Sequence, residues 1–193
     1  MKIGILAVQG AFAEHEQMLE QLGAEYIELR KGEDVRQSYD GLILPGGEST
    51  VQGKLMRELD MFDTIQSQIK NGMPVLATCA GAILLAQQLS NDAATHLATL
   101  PAVVRRNAYG RQLGSFSVDE QIEGIGTFPM RFIRAPYIEK VLDDTKVLAK
   151  VDGNIVMVEN KNQLAMSFHP ELTSDTRIHE MFLKKFSKRM SKN

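Results

Sequence analysis

The sequence predicts an α/β fold: a mostly parallel central sheet flanked by helices, with additional antiparallel strands in the second half. Three observations predict it. Short apolar runs alternate with longer amphipathic segments through about the first 90 residues, the rhythm of a parallel sheet with helices on both faces. The run at residues 3–8 is near-continuous rather than alternating, as a strand covered on both sides is, while 25–29 alternates. After Asn91 the pattern changes to extended segments that follow one another directly.

Each element has its own signal. Residues 3–8 form an apolar run and read as the first strand. The segment 12–22 carries Phe12, Met18, Leu19 and Leu22 at helical spacing, with Gly23 as its stop. His15, between Glu14 and Glu16, is expected on the exposed side. Residues 25–29 and 41–44 read as strands, the latter stopped by Pro45-Gly46-Gly47. Residues 51–59 and 61–70 read as helices, and Asn71-Gly72 ends the second. A short strand at 75–77 runs into Cys79, and the strong helix formers of 80–89 predict a helix. In the second half, 111–122, 130–135 and 163–168 read as strands, 147–158 as a hairpin around Asp152-Gly153, and 175–190 as a closing helix. With no internal repeat or low-complexity linker, one domain over 1–193 is expected.

Composition narrows the function. Lys plus Arg number 22 and Asp plus Glu 24, a net charge of −2, which leaves no electrostatic footprint for nucleic acid. No apolar run is long enough for a membrane helix, and residues 3–8 end at Gln9-Gly10 without a cleavage-site pattern, so a strand is expected there rather than a signal peptide. One cysteine rules out an internal disulfide and points to a reducing compartment, hence the cytoplasm. With one Cys and scattered His, no metal site is expected. The basic end (Lys184, Lys185, Lys188, Arg189, Lys192) suits a helix C-terminus and reads as a solvated face.

Three segments carry candidate chemistry. In Ala77-Thr78-Cys79-Ala80-Gly81 a strand turns sharply into a helix. A nucleophile at such an elbow projects above the carboxyl edge of the sheet. The helix start favours a thiolate, and the Ala80 N–H is placed to donate to an oxyanion. On this segment alone, a buried small hydrophobe is an equally good reading of Cys79. His169-Pro170-Glu171 supplies the missing parts: a base for the thiol, and a carboxylate two residues on to fix its tautomer. The loop Pro45-Gly46-Gly47-Glu48-Ser49 ends another strand. Its glycines admit a substrate close to the backbone, and the Gly47 N–H can complete an oxyanion hole with Ala80. Read instead as a plain turn, the loop makes Ser49 a helix N-cap. Arg106 and Arg134 are candidate carboxylate binders, although a surface role suits either one taken alone. Ser49 lacks the context of a serine nucleophile.

Together these segments resemble the class I (triad) glutamine amidotransferases, whose domain has a flavodoxin-like α/β fold. Within them the chain is similar to the glutaminase subunits of pyridoxal 5′-phosphate synthase. The resemblance rests on Val8-Gln9-Gly10-Ala11 with Glu14-His15, Leu42 to Thr50, Thr78-Cys79-Ala80-Gly81, Arg106 to Gln112, Ser115-Phe116, Phe132 to Pro136 and Ser167 to Thr173. It implies hydrolysis of L-glutamine to glutamate and ammonia with no cofactor. It further implies ammonia passing by a tunnel to a (β/α)8-barrel synthase, twelve of each subunit in the complex, and little activity alone. By carry-over, Cys79 is the nucleophile, His169 the base and Glu171 its orienter. Gly47, Glu48 and Ser49 hold glutamine, Arg106, Ile133 and Arg134 close over it, and Gln9-Gly10 meets the synthase. Three positions depart from the family pattern: Ala77 for the usual glycine, Thr50-Val51 for a Thr-Thr pair, and His96-Leu97-Ala98 for His-Leu-Gly. The added methyl of Ala77 is expected to crowd strand–helix packing. Two other readings use the same residues: a glutaminase for another acceptor, such as the histidine-pathway cyclase, and a non-catalytic scaffold that kept the fold.

Overall fold

The apolar runs of the first half lie side by side in one sheet. The computed structural model describes residues 1–108 and 114–190, with the side chains of 186–190 excepted. The expected start of a strand at Arg111, the Tyr109-Gly110-Arg111-Gln112 block, and the side chains of Lys188, Arg189 and Lys192 lie outside the described residues. Strands β1 (Lys2–Leu6), β2 (Glu25–Leu29), β3 (Gly41–Leu44), β4 (Val75–Thr78) and β12 (Gln163–Met166) form a parallel block in the order β2-β1-β3-β4-β12. The order reverses direction at β1 and β3, and ligands in such sheets bind beyond the carboxyl ends at that switch. Beyond β12 the sheet continues with β11 (Asn154–Asn160), β9 (Tyr137–Val141), β6 (Leu100–Arg105) and β5 (Ala86–Leu89), mostly antiparallel, with β10 (Lys146–Val151) also on β11. A separate antiparallel ribbon pairs β7 (Ser115–Ile122) with β8 (Gly126–Ile133).

Each face of the sheet carries its own core. One buries Leu42, Leu44 and Val75 against Met56 of α3 (Ser49–Glu58), Ile65 of α4 (Phe62–Lys70) and Leu84 of α5 (Ala80–Leu85). The other buries Ile3, Ile5 and Leu76 against Leu19 of α1 (Phe12–Gln21), Ile178 and Phe182 of α6 (Arg177–Met190), and the inner face of the ribbon. Helix α1 ends as its glycine predicts: Gly23 N–H donates to Glu20 O and Ala24 N–H to Leu19 O. No described helix is long and apolar enough to cross a membrane.

The structure corrects the expected helix at 80–89. α5 stops at Leu85, because Ala86 takes an extended backbone and pairs with Leu100 while Leu89 pairs with Val104. Pairing with β6 overrides the local preference of Ala86, Gln87 and Gln88 for helix. Strands β6 and β9 and the short helix α2 (Gly32–Val35) have no counterpart in the sequence reading.

Candidate active site

Four carboxyl ends of the parallel block converge on one place. Strand β4, wholly buried, runs into Cys79, whose backbone sits at φ 48° and ψ −103° before α5 begins. That is a conformation L-residues avoid, at a cost of about 1–3 kcal/mol, and it aims the side chain off the sheet edge. The close approach that makes the elbow tight falls on Gly81, where an added methyl would run into the Leu44 carbonyl oxygen. Ala77 sits before that elbow, on the buried strand β4. Its methyl is buried in the core, with Ala77 in register with Leu44 and Ala165 on the neighbouring strands.

His169 follows β12 and is fixed from both sides. Its N–H donates to Arg131 O at 2.8 Å, and Pro170 starts a 3-10 turn (Pro170–Leu172) that returns Glu171 toward the ring. Glu171 Oε1 meets His169 Nδ1 at 2.7 Å, with both residues buried. Burial opposes charge on the imidazole. Its hydrogen bonds to Cys79 and Glu171, and the charges of both, outweigh that and push His169 up to about 10. Cys79 and Glu171 together are the reason the ring can be cationic out of water. Cys79 Sγ lies 4.0 Å from the Ile133 carbonyl oxygen, at the end of β8.

The glycine loop after β3 is stitched to the end of β1. Gly46 N–H donates to Thr78 Oγ1 at 3.0 Å, and Gly46 O accepts from Ala11 N–H at 2.9 Å. Glu48 N–H donates to Gln9 Oε1 at 2.8 Å, and Gln52 Nε2 donates to Gln9 O at 3.0 Å and Pro45 O at 3.2 Å. Gly10, at φ 102°, permits this contact, since a methyl there would strike Gly46 O. The N-cap of α3 is Glu48, whose Oε1 accepts from Thr50 N–H; Ser49 is instead the first helical residue and is buried. The longer Glu48 side chain reaches the N-terminus and leaves Ser49 facing inward.

Arg106 spans the mouth of the site. Its guanidinium donates to Asp92 Oδ2 at 2.7 Å and to Glu48 Oε1 at 3.4 Å. Asn91 brackets the Arg106 backbone, Oδ1 accepting from its N–H at 3.1 Å and Nδ2 donating to its carbonyl at 3.0 Å. Ile133 is exposed, and Arg134 has φ 43°. Gln9, Gly46, Cys79, Arg106, Arg134 and His169 line a cavity of about 480 Å³, which also takes in Gly10, Gly47, Glu48, Ser49 and Ile133. Ala80 lies directly behind Cys79 as the first residue of α5. The sequence-derived site residues therefore form one cluster.

His15 overturns the expectation of exposure. It is buried, with Nδ1 2.9 Å from His179 Nε2 and Nε2 3.2 Å from Thr78 Oγ1. The legible signal was its helical spacing to Met18 and Leu19, which are also buried. Among the described residues, no group of three or more His, Cys, Asp or Glu is arranged to hold a metal ion.

Residues 5–188 match the profile of the SNO glutamine amidotransferase family. The chain belongs to that family. Among the curated relatives of this chain, pyridoxal 5′-phosphate synthase subunit PdxT of Desulfitobacterium hafniense is 63% identical over 97% of this chain and 94% of its own length. PdxT of Streptococcus pneumoniae is 53% identical over 95% of this chain and 96% of its own. A crystal structure of a glutamine amidotransferase superposes with a TM-score of 0.89 at 43% identity, covering 94% of this chain and 97% of that one.

Proposed function

We propose that this chain is the cytoplasmic glutaminase of a pyridoxal 5′-phosphate synthase, hydrolysing L-glutamine with Cys79, His169 and Glu171 and delivering ammonia to a (β/α)8-barrel synthase subunit. The observation that carries the reading is the Glu171-bonded His169 lining one cavity with Cys79 at its strained elbow. The high identity to PdxT subunits supports the choice of acceptor.

The chemistry follows from the arrangement. Cys79 thiolate attacks the side-chain amide carbon of glutamine. The oxygen gains charge and accepts from the N–H groups of Gly47 and Ala80, in a pocket where such donors are worth far more than in water. His169, protonated at neutral pH by its partners, gives its proton to the nitrogen as the C–N bond breaks, and ammonia leaves. Water then attacks the thioester carbon, His169 takes a proton from it, and glutamate departs with the thiolate restored. Glutamine and water become glutamate and ammonia. Gly47, Glu48 and Ser49 hold the substrate, while Arg106, Ile133 and Arg134 close over it.

Gln9 and Gly10 lie where a partner can act on this chemistry. Gln9 is bonded to Glu48 and Gln52, and the Gly46 carbonyl to Ala11. A synthase seated on Gln9-Gly10 therefore pulls directly on the peptide that presents the Gly47 N–H. Gating of this kind holds ammonia release until a dry path exists. The reading implies a complex of twelve subunits of each kind.

The test is glutamate release from glutamine with and without the synthase subunit. Stimulation by that subunit, lost in Cys79→Ala while the complex still forms, is the expected result. No glutamate from a stable wild-type complex would overturn the reading in favour of a scaffold.

A further inference from the structure

Behind the triad lies a second buried polar cluster that the mechanism above does not use. Glu171 Oε2 has no hydrogen-bond partner within the described residues, yet His15 Nε2 stands 3.6 Å from it. The same Nε2 is 3.2 Å from Thr78 Oγ1, which accepts from Gly46 N–H. His15 Nδ1 meets His179 Nε2, from α6, at 2.9 Å. Both imidazoles have no exposure to solvent, and burial first of all holds each of them neutral.

The tautomers follow from the partners. If His15 carried its proton on Nδ1, its Nε2 lone pair would face a carboxylate and His179 Nδ1 would be a buried N–H with nothing to receive it. With the proton on Nε2, His15 presents a donor to Glu171 and Thr78. His179 then donates from Nε2 to His15 Nδ1, and only a lone pair is left unmet at His179 Nδ1. An unpaired acceptor is the smaller penalty, because buried N–H groups are the ones almost never orphaned. Two imidazoles in an apolar core are otherwise a cost, since leucine or phenylalanine would fill the space without burying polar atoms.

We propose that His15, held in register by His179, is a positioning residue of the glutaminase reaction: its Nε2–H fixes the free carboxylate oxygen of Glu171 and, through Thr78, the Gly46 peptide. One node thus ties the element that orients His169 to the loop that supplies the Gly47 N–H. Its backbone is α1, which starts next to Gln9, Gly10 and Ala11, so the partner-facing segment and the triad carboxylate share a rigid element. The 3.6 Å separation shortens to a hydrogen bond in the reacting complex, as catalytic contacts loose in the unliganded enzyme commonly do. The proposal rests on the triad reading above.

The test uses the complete complex with the synthase subunit and two variants. His15→Leu removes the donor and keeps an apolar filler. His15→Gln keeps an amide N–H near the Nε2 position. A merely structural role makes the leucine variant the better of the two. A positioning role reverses the order for kcat only: His15→Leu loses about tenfold in kcat with KM for glutamine within twofold, while His15→Gln recovers most of the loss despite a lower melting temperature. Alkylation of Cys79 by iodoacetamide at pH 7 gives a second readout that needs no turnover, slowed in His15→Leu and restored in His15→Gln. Wild-type kcat and alkylation rates in a folded His15→Leu would overturn the proposal. A wild-type complex that makes no glutamate overturns the glutaminase reading instead, and the alkylation series still decides the role of His15.

Discussion

Replacing Gly46 by alanine tests how closely the glycine loop abuts the proposed base. The backbone of Gly46 is not in the left-handed region, so alanine meets no torsional penalty there. The obstacle is the His169 ring: a Cβ on Gly46 would stand 2.8 Å from Nδ1, and nearer still to Cε1. Ordinary contact requires the ring to retreat by about 1 Å. It has no free direction, because Nδ1 is bonded to Glu171 at 2.7 Å and the His169 N–H to Arg131 O at 2.8 Å. A misplacement of about 1 Å at a reacting group costs about 100-fold in rate, and overpacking costs about 1–3 kcal/mol of stability. Gly46→Ala is therefore expected to fold with a lowered melting temperature and to lose about two orders of magnitude in kcat. The assay is steady-state glutamate release in the complex with the synthase, beside thermal melting followed by circular dichroism. A folded Gly46→Ala protein within threefold of wild-type kcat would refute the reasoning, since His169 would then work from a position the loop does not control.

Two further predictions concern stability. Ala77→Gly, which restores the usual family residue, is expected to destabilise by about 1–2 kcal/mol, from one lost buried methyl and a glycine in a strand, without raising kcat; a denaturant midpoint that rises would show that the methyl is strained after all. The second concerns pH. His179 is lowered by burial to about 4 in the folded chain, whereas unfolding frees it to titrate near 6.5. Its neutral burial is therefore harmless above pH 6.5 and costs stability as pH falls toward 4, by about 2 kcal/mol between pH 8 and pH 5. His169, raised to about 10, works the other way: it is charged in the folded chain throughout but neutral in the unfolded chain above about pH 6.5, so it adds stability as pH falls from 8 toward 6.5, equally in wild type and in a His179 variant, and cancels in their comparison. Urea titrations at the two pH values are expected to show His179→Gln losing less stability than wild type on acidification; equal losses would mean that His179 is not held neutral.

The sequence by itself determined the parallel block and the site, because both are written in short-range order. Strand ends at Pro45-Gly46-Gly47, Cys79 and His169 are marked by turn chemistry that a neighbour in sequence supplies. The His169–Glu171 pair needs only a two-residue spacing with a proline between. What lay beyond reach depends on contacts between distant segments. Ala86 to Leu89 spell helix locally and became strand because β6 offered a ladder. Glu48 rather than Ser49 caps α3, and Arg106 finds Asp92 and Glu48, for reasons of reach in three dimensions. His15 and His179, 164 residues apart, show no relation in the chain. Only the packing of α1 and α6 against the same face of the sheet turned inward two imidazoles that each neighbour a glutamate in sequence. Shut off from solvent there, the two rings meet each other, and His15 stands beside the carboxylate of Glu171.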